Sequence, residues 1–389
     1  MTSDSIIFSF FLIFSGAAAL ASLALFARQP VLIAYIALGS LLGPYGFSLI
    51  DDPQVISDIA RVGIIFLLFL IGLELHPRNF VELIKKSSAV VILSTIFFLF
   101  IGAAIAILFG FTNQEAGIIG LTLTFSSTII GIKLLPTTSL HHKHIGELVV
   151  GLLLIQDLLA VILISLMGTS FSSENVGRQV LQMLLLVPAL VGFAFIFVRY
   201  VVLPLLYRFD RFHEYIFLVA LGWCLGMAEM SSLLGVSHEI GAFIGGVSLA
   251  QSRISQYITS HLKPLRDFFL VLFFFSLGAS LEWSLLSNVL LPALIFTAVV
   301  IVLKPVIYSF ILQKFGETDS LSWEIGIRLG QTSEFSLLVA YLGLSAGWIS
   351  ESTSLLIQLT AILTFIVSSY WVVFRYPTPI AISDRLRRD

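Results

Sequence analysis

The chain has 389 residues, 58% of them hydrophobic and only 11% charged, with a formal net charge of −2. Soluble domains carry roughly 25% charged residues, so water is the wrong solvent for most of this surface. The near-neutral balance argues against a nucleic-acid partner, and the single Cys224 gives neither an internal disulfide nor a metal or redox signature.

A helix needs about 20 apolar residues to cross roughly 30 Å of hydrocarbon. Residues 5–27, 87–114, 179–198, 283–303 and 352–374 each run without Asp, Glu, Lys or Arg. Breaking the chain at charges and turn residues predicts an all-α membrane protein of about 13 transmembrane helices. They lie near 6–26, 31–43, 55–74, 86–110, 115–136, 145–168, 178–207, 213–231, 237–251, 262–280, 286–312, 321–346 and 352–375. The first lacks the basic front end and cleavage site of a signal peptide and reads as a span. Connections are short, so no soluble domain is expected. Lys and Arg collect in alternate loops, leaving only Arg61 and Arg178 on the opposite side. That bias predicts a multi-pass protein of a plasma or inner membrane, with its N-terminus outside and its C-terminus cytoplasmic.

The two halves echo each other at an offset near 206 residues. Phe69-Leu-Ile-Gly72-Leu-Glu-Leu75 aligns with Phe275-Ser-Leu-Gly278-Ala-Ser-Leu281, and Leu123-Thr-Phe-Ser-Ser-Thr128 with Leu329-Gly-Gln-Thr-Ser-Glu334. The offset equals seven helices, and an odd shift inserts the second copy upside down. The expectation is repeat one at about 6–168, a linker helix at about 178–207 and an inverted repeat two at about 213–375. Inverted-repeat transporters hold their substrate near the midplane, where helices are interrupted. The polar residues Thr124, Ser126, Ser127 and Thr128, and their counterparts Gln331, Ser333 and Glu334, are the candidate lining of two broken helices. Ordinary Ser/Thr packing between helices is the plainer alternative.

Between Glu147 and Glu174 the sole ionisable residue is Asp157. Placing a carboxylate at that depth costs at least about 2.5–3.5 kcal/mol, so a bound proton or cation becomes a competitive partner. This is the minimal chemistry of proton-coupled exchange. Lys304 stands alone between Glu282 and Lys314 and needs a partner at such a depth. Asp157 is the obvious one, and snorkelling to the interface is the other option. Gln156 offers a neutral amide whose carbonyl suits a cation. Glu334 and Arg328 flank the second stretch. His238-Glu239 opens like a zinc-protease helix, but position 242 is Ala. The run His141-His142-Lys143-His144 reads as a solvated loop, with pH sensing as the alternative.

These residues resemble the monovalent cation:proton antiporter-2 family, and within it the Kef-type potassium:proton antiporters. The resemblance rests on Gly39-Ser-Leu-Leu-Gly43-Pro44, Phe69 to Leu75, Leu123 to Thr128, Gln156-Asp157, Gly241 to Ala250, Phe273-Phe-Phe-Ser-Leu-Gly278 and Gly330-Gln331-Thr-Ser333-Glu334-Phe335. It implies a sodium/proton antiporter-like fold with two crossing, locally unwound helices and a homodimer in which a core domain slides elevator-fashion. In it Asp157 is the cation and proton site, Gln156 its neighbour, and Lys304 the mid-membrane coupling lysine. A single aspartate after Gln156 implies electroneutral exchange of potassium for protons, with a sodium:proton antiporter as the alternative. The alkali cation is cargo, and no cofactor or enzymatic activity is expected. Many Kef-type proteins continue into a nucleotide-binding domain that this sequence, ending at Asp389, lacks. Any such gating would come from a separate cytoplasmic subunit or from a further domain outside this sequence. A cation channel is the rival class, but no filter sequence is present. An intramembrane enzyme would need a nucleophile–base or metal set that is not evident.

Overall fold

A computed structural model describes residues 3–27, 29–50, 54–74, 77–136, 144–167, 176–209, 211–252 and 254–378. The described chain is helical, without a strand among the described residues. It begins with α1 (Ser3–Phe26), α2 (Val31–Leu42), α3 (Gln54–Glu74) and α4 (Pro77–Leu108). A pair of short helices, α5 (Asn113–Thr122) and α6 (Thr128–Lys133), precedes α7 (His144–Met167). Next, α8 (Val176–Phe197) runs through a π turn (Val198–Val202) into α9 (Leu203–Arg208). The rest comprises α10 (His213–Leu233), α11 (His238–Leu249), α12 (Ser255–Ala279), α13 (Leu286–Lys314), the second short pair α14 (Asp319–Arg328) and α15 (Glu334–Ser345), and α16 (Glu351–Arg375).

Counting α5–α6, α8–α9 and α14–α15 as one interrupted rod each recovers the thirteen expected helices. Two starts differ. α4 begins at Pro77 rather than near 86, and α12 at Ser255 rather than near 262. Charged residues such as Arg78 and Lys263 end a membrane span but not a helix, so the rods continue beyond the apolar stretch. Among the described residues seven helices are long and apolar enough to cross a membrane unaided. The others are shorter, interrupted or less apolar.

Contacts divide the chain into two compact units, each assembled from separate stretches. One comprises residues 1–49, 81–160 and 277–389, and the other 50–80 and 161–276. Each therefore draws on both halves of the expected repeat. In the second unit α3 lies against α11, and α11 against α10, around a core that includes Phe69, Leu73, Trp223, Cys224, Met227 and Leu249. In the first, α13 contacts α14 and α16, while α15 and α5 lie on α16.

Hydrocarbon offers no hydrophobic drive for helices to associate, so close approach through small residues supplies the contact. Gly72 and Gly246 do this between α3 and α11. A Cβ on Gly246 would sit 2.0 Å from the Phe69 carbonyl oxygen, and one on Gly72 2.5 Å from that of Phe243. Gly102 and Gly120 bring α4 and α5 together in the same way. Gly246→Ala is therefore expected to lower thermal stability in detergent by about 1–3 kcal/mol, the usual range for overpacking. Gly222→Ala, where a Cβ meets nothing within 4 Å, serves as the matched control and should leave the melting temperature unchanged.

Candidate ion-binding site

Both polar stretches are interruptions. The first break covers residues 123–127 and the second 329–333, so Thr128 opens α6 and Glu334 opens α15. Chain logic explains the ends. Thr122 turns its hydroxyl back onto the Ile119 carbonyl at 2.8 Å, and the Thr124 N–H tightens to a three-residue bond with the Leu121 carbonyl. Ser127 then starts the next helix by accepting from the Ile130 N–H at 3.1 Å. In the second break Ser333 accepts from the Phe335 N–H at 3.1 Å and shares a capping box with Ser336. Such side-chain caps satisfy the donors that a helix start leaves open.

The two breaks meet. Ser126 Oγ donates to the Leu329 carbonyl at 3.0 Å, and Ser336 Oγ donates to the Thr122 carbonyl at 2.7 Å. Gln331 reaches the Ser127 carbonyl through Nε2 at 3.5 Å and accepts from Ser368 Oγ at 2.8 Å. Thr332 leans on Thr364, whose Oγ1 accepts its N–H at 3.2 Å. Ser126, Ser127, Gln331 and Ser333 are wholly buried. The Glu334 carboxylate, also buried, lies at the start of α15, with Ser333 Oγ at 3.5 Å.

Lys304, with no solvent exposure, sits where the breaks cross. Its Nζ donates to the Phe125 carbonyl at 2.7 Å, to Ser126 Oγ at 3.0 Å and to the Gln331 carbonyl at 2.7 Å. Those three acceptors match the three protons of an ammonium. This corrects the expected pairing with Asp157: backbone oxygens from both breaks hold the amine. It also excludes snorkelling to an interface.

Asp157, 4% exposed on α7, accepts from Thr128 Oγ1 at 2.8 Å. Its carboxylate is thereby attached to the first residue after the first break. Gln156 beside it uses both ends of its amide. Its Oε1 accepts from the Ser126 N–H at 3.0 Å, and its Nε2 donates to the Thr124 carbonyl at 3.4 Å and to the Tyr308 hydroxyl. The amide pins the first break. Thr124 Oγ1, in contrast, is buried without a hydrogen-bond partner.

Sequence reasoning missed Tyr308, Thr364, Ser368 and Glu115. Tyr308 follows Lys304 by four residues, and that spacing on a helix is the signal that could have found it. Glu115 Oε1 accepts from Ser350 N–H and Oγ and from Thr353 Oγ1, while its Oε2 accepts from Thr112. It thereby caps the starts of α5 and α16 together. Arg328, also buried, donates to Glu324 and to the carbonyls of Leu134 and Pro377. His141, His142 and Lys143 lie outside the described residues, whereas His144 pairs with Glu317 at 2.9 Å.

Residues 10–374 match the family model of the sodium/hydrogen exchanger transmembrane domain. The chain is 29% identical to the iron transporter MagA of Paramagnetospirillum magneticum over 354 residues, covering 89% of this chain and 80% of that protein. It is 32% identical to the glutathione-regulated potassium-efflux system protein KefC of Enterobacter sp. over 337 residues. That match covers 84% of this chain, which spans only 54% of the KefC length. The solved structure of the sodium proton antiporter MjNhaP1 from Methanocaldococcus jannaschii shares the fold, with a TM-score of 0.74 at 16% identity, covering 94% of this chain and 96% of that one. A family match over nearly the whole chain, on the antiporter fold and with Kef-type motifs at the crossing, makes this protein a member of the sodium/hydrogen exchanger family of cation:proton antiporters, a transporter and not an enzyme.

Proposed function

We propose that the chain exchanges potassium for protons, one for one, with Asp157 as the shared site. The observation that carries this reading is a buried carboxylate fastened by Thr128 to the edge of a helix break. One carboxylate binds either one proton or one monovalent cation, so each half-cycle carries a single positive charge one way, the return half-cycle carries one back, and the full exchange is electroneutral. Thr124 Oγ1, buried and unpartnered, and the oxygens around the break supply neutral ligands of the kind that alkali cations take. Gln156 acts as a positioning residue: it holds the break from the position next to Asp157.

Potassium is favoured over sodium by the Gln156-Asp157 pair and by likeness to potassium-efflux relatives. A sodium:proton antiporter of the same fold is the second reading, supported by the shape of MjNhaP1. Iron, the cargo in MagA's name, fits less well. Transition metals favour several imidazole, thiolate or carboxylate ligands, and no cluster of three such residues occurs among the described residues. In the cycle we infer, a homodimer provides a fixed scaffold, and the element bearing Asp157 and both breaks moves to expose the site to each side in turn.

Asp157→Asn should abolish potassium-dependent proton flux in proteoliposomes, read by a pH-sensitive dye with potassium, sodium and lithium in separate titrations, while membrane insertion is unchanged. Full retained exchange would refute the assignment. Sodium-driven flux exceeding potassium-driven flux would select the second reading. Lys304→Met should lower the melting temperature, because it leaves the Phe125 and Gln331 carbonyls without their donor, at about 1–3 kcal/mol per orphaned buried group. A raised melting temperature would mean that burying the ammonium costs more than those bonds return.

A further inference from the structure

We propose that the second unit carries a binding site for an acidic phospholipid at the π turn between α8 and α9. The turn has a local cause. Pro204 has no N–H to give to the carbonyl four residues before it, so the Leu203 N–H reaches back five residues to the Val198 carbonyl. Widened turns of this kind occur often at functional sites. Beside it opens a cavity of about 470 Å³. Its lining combines the polar Arg199, Tyr207, Gln251 and Ser252 with the apolar Phe195 and Leu203.

Arg199 is the unusual element. Among the described residues it has no carboxylate partner and no hydrogen bond, and its guanidinium lies over the Tyr200 ring at 5.8 Å from the centroid. An uncompensated guanidinium in a lining that also holds apolar side chains suits an anion that carries a hydrocarbon body. The planar fork of Arg matches a phosphate, and the Tyr207 hydroxyl and the Gln251 amide in the lining add neutral donors. The surroundings fit a ligand arriving from the bilayer. Ile196 and Tyr200 are 62% and 69% exposed, and Leu205 is exposed as well. Tyrosines concentrate at headgroup level, and Arg208 and Arg211 add positive charge a few residues on, as at surfaces that attract anionic lipid.

The test uses the full chain purified in detergent. Phosphatidylglycerol, phosphatidylcholine and inorganic phosphate are each titrated, with binding read by native mass spectrometry and by thermal shift. Phosphatidylglycerol should bind and raise the melting temperature, and phosphatidylcholine should do neither. Arg199→Ala should weaken phosphatidylglycerol binding by about tenfold, the loss of one charge-assisted bond, and Arg199→Lys should restore part of it. Because Arg199 is exposed and unbonded, Arg199→Ala should keep the wild-type melting temperature without added lipid. Equal binding of both lipids, unchanged phosphatidylglycerol binding in Arg199→Ala, or full saturation by inorganic phosphate alone would overturn the proposal. So would a disulfide formed between two copies across Tyr200→Cys in the presence of the lipid, since a second copy would then fill the groove.

Discussion

A fully buried ammonium, Lys304, held by backbone carbonyls from two different helix breaks, is the constraint on which the rest of the first unit depends. An ion of that size out of water carries a penalty of several kcal/mol even after relaxation, and only close, well-aimed partners offset it. Phe125, Ser126 and Gln331 are those partners. The Phe125 and Gln331 carbonyls would be engaged already if the helices were continuous, because a carbonyl inside a regular helix accepts from the residue four ahead. The breaks supply the acceptors, and the ammonium gives the freed carbonyls the donor that hydrocarbon cannot. Each feature accounts for the other.

The same crossing couples the carboxylate to the backbone. Asp157 reaches α6 through Thr128, and its neighbour Gln156 reaches the first break through the Ser126 N–H and the Thr124 carbonyl. A hydroxyl both donates and accepts, so Thr128 can donate to an ionised Asp157 or accept from a protonated one. The Asp157 carboxyl is thereby tied to the start of α6 in either protonation state. Away from the crossing, Glu115 and Arg328 gather helix ends. Glu115 joins α5 to α16, and Arg328 joins α14 to the chain just after α6 and just after α16. The polar centre is thus held from its periphery by two buried charges.

Much of this was legible in the sequence, and the missing part has a definite character. Charge-free runs located the helices, because depth in a bilayer is a one-dimensional property that residue order records. The breaks were found within one or two residues from Ser/Thr clusters repeated at one offset. The starts of α4 and α12 were misplaced because the same charges were taken to end helices as well as spans. Which way a side chain points is a different matter. The charge-free runs around Asp157 and Lys304 put both deep in the bilayer, and an attraction between opposite charges was the natural expectation; yet the ammonium turned to carbonyls that become free only once both breaks exist. The occupied Gln156 amide and the Glu115 cap were hidden for the same reason, since their partners lie on helices distant in sequence, at Tyr308, Ser350 and Thr353.

The central claim is that a proton and an alkali cation compete for Asp157. Equilibrium binding of rubidium-86, a potassium surrogate, to the purified protein across a range of pH tests it directly. Below the titration of the carboxyl, the apparent dissociation constant should rise by about tenfold per pH unit, the slope for displacement of one proton. Rubidium binding of constant affinity across that range would contradict the account.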